Sequence, residues 1–189
     1  NDDDTPDNPL ATDSFSNIQL FENSLSNLNL SIDGTSTSAA LSSYSNQDKD
    51  SDAVLSPDDD TLTLIGNTWF KADLATGSSP NGYTITNDTV LSFSFDSSSE
   101  GEIQGIGFDN DNIISSAQTF QLSGWQSFGL QDFNNTYTTG SGQQIYTIPV
   151  GKFFTGDFQY LTFLNDDDTP DNPLATDSFS NISLFEDCL

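Results

Sequence analysis

Residues 1–25 read NDDDTPDNPLATDSFSNIQLFENSL, and residues 165–189 read NDDDTPDNPLATDSFSNISLFEDCL. The two stretches agree at 22 of 25 positions and differ only at 19/183, 23/187 and 24/188. A repeat of this length governs the organisation before any other pattern is weighed. Residues 1–22 read as the closing strand and loop of a preceding copy of the same domain. One complete copy follows, so the expected parent is a tandem array with a period of 164 residues. The chain opens at Asn1 with neither Met nor a signal-like segment, which reads as an excerpt of a longer protein. The repeat also creates a competition. Segments 3–22 and 167–186 are chemically the same strand and loop, and both prefer one slot. Segment 158–186 reads as a hairpin with a long Pro-containing loop, so the C-terminal copy is expected to take that slot. The N-terminal copy then packs elsewhere, hangs free, or enters a neighbouring molecule by strand exchange.

The intervening sequence predicts an all-β domain. In TVLSFSF (89–95), Leu91, Phe93 and Phe95 share one face and Ser92 and Ser94 the other, the period of a half-buried strand. Segment 61–66 alternates in the same way. EIQGIGF (102–108) predicts a strand whose Gly105 and Gly107 allow a close approach of backbone or ligand. Further strands are expected at 118–123, 126–130, 144–148, 158–164 and 178–186, and no ten-residue stretch has helical periodicity. Roughly eight to ten strands at this spacing predict an antiparallel β-sandwich of jelly-roll type. The expected division is 1–22 from the preceding repeat, 23–43 as a linker or added strand, and 44–187 as the sandwich module. Residues 23–43 are rich in Ser, Thr and Asn, yet Leu28, Leu30 and Ile32 alternate with polar neighbours.

Composition narrows the function classes. Asp and Glu number 29 against three Lys, a formal net charge of −26. Such a chain does not neutralise phosphates, which argues against nucleic acid and against anionic lipid. With no His there is no imidazole for a Ser-His or Cys-His nucleophile pair. The one Cys, Cys188, aligns with Ser24 and reads as incidental; it cannot close an internal disulfide. No apolar run reaches membrane-spanning length. Fifteen Phe, five Tyr and two Trp argue for a packed core over acidic disorder. This acidity suits a secreted or cell-surface protein in a salty, calcium-containing medium.

Two strands run directly into clusters of Asp and Asn. One ends at Phe108 and continues into Asp109, Asn110, Asp111 and Asn112; the other continues into Asn165, Asp166, Asp167 and Asp168. Hard oxygen ligands at alternating spacing suit Ca2+, and the two strand ends are expected to meet at one rim. The candidate metal ligands are Asp109, Asp111, Asp166, Asp168, Gln47 and Asp48, with Asp58 to Asp60 and Asp132 as further acidic positions. The same residue types also favour solvated turns. WQSFGLQDFNNTYT (125–138) interleaves aromatics with amides, the composition of a surface that stacks on sugar rings and bonds their hydroxyls. Trp125, Phe128, Asp132 and Tyr137 are the candidate carbohydrate-binding residues; Trp69, Tyr83 and Phe133 are further aromatics set among polar residues. Core burial is the competing role for each. Among so many carboxylates some pair is always near another, so Glu102 with a rim Asp does not point to a glycosidase. No catalytic residue is expected.

GNTWFK (66–71), TITNDTVLSFSFDSSSEGEIQGIGFDNDN (84–112) and YTIPVGKFFTGDFQYLTFLNDDD (146–168) together resemble the β-sandwich, carbohydrate-binding-type modules of secreted bacterial polysaccharide-active and surface proteins. The resemblance covers about residues 44–187. It implies a non-catalytic, calcium-assisted glycan-binding module outside the cell, and places Phe128–Gly129 nearest to an aromatic-glycine pair common in such modules. The expected partners are a polysaccharide and neighbouring copies of the same domain. The alternative is a structural repeat of a secreted fibre, filament or adhesin.

Overall fold

The computed structural model describes residues 27–77, 79–169 and 174–187. The N-terminal copy (1–22), its expected strand exchange, the start of the 23–43 segment and Cys188 lie outside the described residues. The described chain forms thirteen strands: β1 (Asn27–Ile32), β2 (Thr35–Ser43), β3 (Asp52–Leu55), β4 (Thr61–Ile65), β5 (Thr68–Asp73), β6 (Tyr83–Ile85), β7 (Thr89–Ser99), β8 (Ile103–Asp109), β9 (Thr119–Ser123), β10 (Gln144–Ile148), β11 (Gly156–Phe158), β12 (Tyr160–Asp166) and β13 (Thr176–Glu186).

The strands make an antiparallel β-sandwich of the expected jelly-roll type. One layer places β13 beside β7, with β10 beyond; the first half of β13 pairs on its other edge with β4, and the second half runs parallel to β1. The other layer runs β2-β5-β12-β8-β9. β2 joins the layers, since its residues 35–40 pair with β1 and Leu41–Ser43 pair with β5. A small ladder of β6 and β11 stands beside them.

Residues 27–43 are therefore two sheet strands and not a tether. Leu28, Leu30, Ala39 and Leu41 reach the core from alternating positions, so among the described residues the added-strand alternative for 23–43 is the one that β1 and β2 follow. A correction concerns 158–186. β12 has both edges filled by β5 and β8, so β13 cannot return beside it as a hairpin and crosses to the opposite layer.

The alternation in β7 does what its period predicts. Phe93 and Phe95 meet Phe179 of β13, and Phe179 meets Phe163 of β12 across the layers at 5.2 Å between ring centroids. A second ring cluster, Phe108, Phe120, Phe153, Phe154 and Phe158, closes the other end of the sandwich. Edge-to-face ring pairs of this kind stabilise the core beyond the removal of apolar surface from water.

Candidate functional site: a polar cleft at one rim

Antiparallel pairing decides where the two Asx clusters go. β8 and β12 are neighbours, with Tyr160 opposite Asp109 and Asp166 opposite Ile103. The C-terminal ends of antiparallel neighbours point to opposite rims. Asp109 and Asp111 therefore sit at one rim and Asp166 and Asp168 at the other, about 20 Å of strand away. The expectation that the clusters meet is corrected on this ground.

At the first rim the carboxylates bond to their own chain. Asp109 is buried; it accepts the Tyr44 hydroxyl on one oxygen and the backbone N–H groups of Asn110 (2.6 Å) and Asp111 (3.2 Å) on the other. Asp111 accepts the Ile113 N–H at 2.6 Å. Lys71 supplies the counter-charge: its Nζ donates to Asn112 Oδ1 at 2.6 Å and lies 4.0 Å from the centre of the Tyr160 ring. Burial lowers the Lys71 pKa, and the nearby Asp109, Asp111 and Asp73 oppose that shift. Burial, then Asp109, pushes the Tyr44 phenol far above its ordinary range, so it remains a donor.

Asp48 is similarly committed. Its carboxylate accepts the Ser51 N–H at 2.9 Å and the hydroxyls of Ser43 and Ser51, which folds residues 44–51 against Asn67 and Trp69. Gln47 is half-buried in that loop. Among the described residues no group of three or more carboxylates is placed to hold a metal ion. Asp48, Asp109 and Asp111 thus each use carboxylate oxygens to hold the turns of their own chain.

The second rim is different. Glu102, Asp166 and Asp168 face one another there. Burial raises the Glu102 pKa, and hydrogen bonding and charge from Asp168, then the charge of Asp166, raise it further; the Gln126 amide, which donates at 2.6 Å, opposes this. Burial followed by the charges of Asp168 and Asp167 raises Asp166 as well. Asp168 continues into an open cleft of about 540 Å³, where Asp50, Asp52, Asn67 and Thr169 provide polar walls and Ile65 and Leu174 an apolar one. At the other end of this row, next to Gln126, stands Trp125. The residue is 60% exposed, while its backbone N–H is held by Gly101 O.

The remaining aromatic candidates lie elsewhere. Tyr137 is buried edge-on against Phe95, with its hydroxyl accepting the Ser97 N–H and donating to Asp96, so it offers no ring face to a ligand. Trp69 and Tyr83 are also buried. Phe133 is half-buried and packs on Phe120 at 5.8 Å. Phe128 is half-buried and Asp132 exposed, both in the loop after β9. Asp50, Asn67, Thr169 and Leu174 have no local pattern that marks them; long-range strand register alone brings them together.

The chain matches no protein family and no curated protein. Among solved structures it is similar to the family 30 carbohydrate-binding module of a cellulosomal cellulase of Clostridium thermocellum, at 15% identity and a TM-score of 0.43, over 87% of this chain and 96% of that one. That likeness carries no assignment of function, which rests on the rim itself. No helix among the described residues is long and apolar enough to cross a membrane.

Proposed function

We propose that this chain is a non-catalytic module that binds neutral polysaccharide at the Asp166 rim, as one unit of a tandem array outside the cell. One observation carries the reading: Trp125 is exposed, its backbone is bonded beside Glu102, and Glu102 bonds Gln126 and faces Asp168, which lines an open cleft. A flat ring covers the apolar face of a pyranose, and amide and carboxyl groups in line with it bond the hydroxyls of the next residues. The formal charge of −26 selects against anionic glycans through repulsion. Calcium is not needed by this reading, since the turn carboxylates are already bonded.

Affinity electrophoresis against neutral and acidic polysaccharides, with Ca2+ and with EDTA, tests it. Retardation by a neutral glycan, unchanged by EDTA, is expected. Trp125→Ala should weaken binding at least tenfold, about 1.4 kcal/mol, without moving the melting temperature. If no neutral glycan retards the chain, or Trp125→Ala binds like the parent, the reading is wrong. Retardation lost in EDTA would return calcium to the site. A second reading, a structural repeat of a surface fibre or adhesin, is favoured by the 22-of-25 identity of the two ends. It predicts assembly without any glycan affinity.

A further inference from the structure

We propose that Lys71 and Asn112 form a covalent side-chain amide, an intramolecular cross-link that ties β5 to the loop after β8.

The fold sets the pairing. Lys71 lies on β5 between Ser42 of β2 and Thr162 of β12, on the face opposite the core residues Phe70 and Ala72. It is 6% exposed, and its Nζ donates to Asn112 Oδ1 at 2.6 Å. The rings of Tyr160 and Tyr44 flank the amine, with centres 4.0 Å and 5.8 Å away. The other two lysines differ in both respects: Lys49 and Lys152 are exposed and donate to backbone carbonyls, Asn46 O and Asn87 O. Asn112 is held from both sides. Asp109 accepts the N–H groups of Asn110 and Asp111, and Asp111 accepts that of Ile113. Asn110 in turn donates to Asp157 O and accepts the Gln159 N–H. An amine bonded to an amide oxygen stands one covalent bond from the carbonyl carbon, near the separation of about 3–3.5 Å from which such groups react.

The chemistry needs no reagent from outside the chain. A lysine amine becomes a nucleophile once it loses its proton, and removal from water favours that form. Burial acts on Lys71 in this direction. Asp109, the carboxylate whose charge acts most strongly on Lys71, takes the ammonium proton. The Nζ lone pair then attacks Asn112 Cγ and forms the new N–C bond. The Cγ–Nδ2 bond breaks, and Nδ2 leaves as ammonia with one of the two remaining amine hydrogens. The proton on Asp109 departs with it as ammonium. Nothing is oxidised or reduced, and the product is a secondary amide.

One cysteine cannot brace this chain with an internal disulfide. The amide joins residues 41 apart in sequence and spans β12, which separates β5 from β8. By restricting the unfolded chain, such a link raises the melting temperature by roughly 10 °C.

Intact mass spectrometry of the denatured full chain, after incubation of the folded protein at neutral pH, tests this. The mass is expected to fall short of the sequence by one ammonia. Trypsin locates the bond, because the chain has no Arg and only three Lys. It should release residues 50–152 as one fragment carrying the deficit, where an unlinked chain gives 50–71 and 72–152. Cleavage after Glu100 and Glu102 should then leave 50–100 and 103–152 joined. Lys71→Arg and Asn112→Ala should each show the full sequence mass and melt lower by the amount given above. A wild-type chain of full sequence mass overturns the inference, whether or not the variants fold. So does a deficit located at Asn81–Gly82, where cyclisation of the asparagine also expels ammonia and which Asn112→Ala leaves in place.

Discussion

Asp177 is a carboxyl in the middle of the sandwich, fully buried and on the central strand. Gln104 Nε2 donates to its Oδ1 at 2.6 Å, while its Oδ2 and the Gln104 Oε1 are both buried with no donor. Two orphaned acceptors on one facing pair are resolved when the acid is neutral, because its O–H supplies the missing donor. Burial, the largest influence, pushes its pKa well above the ordinary value; the Asp96 charge adds to this and the Ser97 hydroxyl opposes it. A raised folded pKa gives stability that is complete below the unfolded value and is lost as pH rises through the folded one. Asp177→Asn keeps the shape and provides a permanent donor. Its melting temperature should match the parent near pH 4 and exceed it increasingly toward pH 8. Glu102 and Asp166 shift in the same direction, whereas Glu186 is lowered, its three hydroxyl donors outweighing burial; the comparison at each pH cancels all three. A difference in melting temperature that stays constant from pH 4 to 8 would show that Asp177 is not held neutral.

Among the elements, the segment after β9 shows how a strand pattern can be captured by one side chain. Residues 126–130 alternate in sequence, yet they form a loop whose backbone pairs with the β9 backbone only at Leu130, where its N–H bonds Thr119 O at 2.7 Å. Gln121 is wholly buried; its Nε2 donates to Ser123 O, Gly124 O and Gln126 O, and its Oε1 accepts the Phe128 N–H and the Gln131 amide. Gly129, at a φ of +73°, lets the loop pass so near Thr119 O that a Cβ would stand 2.4 Å away. Gln121 thereby positions Trp125. Gln121→Leu strands several buried partners, a loss of about 2 kcal/mol, or roughly 4–8 °C in melting temperature for a domain of this size. It should also weaken glycan binding several-fold although it touches no ligand. An unchanged melting temperature would refute the clamp. Burial on one face or on two decides which strands were legible in the sequence. β7 and β13 could be read because one face meets the core and the other does not. β5, TWFKAD, could not, since both its faces are covered: Phe70 and Ala72 meet the core, while Trp69 and Lys71 lie under Tyr44. Trp125 was legible as an aromatic among amides, but the cleft at the Asp166 rim was not, because Asp50, Asn67 and Asp168 meet only through pairings more than a hundred residues long, such as β4 with β13.

For the molecule as a whole, like-charge repulsion opposes folding, and few cations are present to relieve it. Its three lysines donate to neutral oxygens, Lys49 to Asn46 O, Lys71 to Asn112 Oδ1 and Lys152 to Asn87 O. Against a net charge of −26 they remove little of the repulsion among the acidic groups. Repulsion of this kind acts over the Debye length, about 30 Å at 0.01 M salt and about 3 Å at 1 M. Stability should therefore climb steeply with ionic strength and level off once screening is shorter than the spacing between surface carboxylates. The identity of the cation separates screening from a site. At matched ionic strength, NaCl, MgCl2 and CaCl2 should shift the melting temperature along nearly one curve, with the divalent salts slightly ahead because they condense more strongly on acidic rims. A saturating rise at low millimolar Ca2+ that Mg2+ does not reproduce would instead demonstrate a built calcium site and contradict the assignment of the turn carboxylates to their own backbone. Binding of a neutral glycan at Trp125 should hold constant over the same salt range, because stacking and hydroxyl bonding involve no counter-ion release. A titration of NaCl read by melting temperature and by glycan retardation would thus separate fold from ligand, with only the glycan signal expected to stay flat.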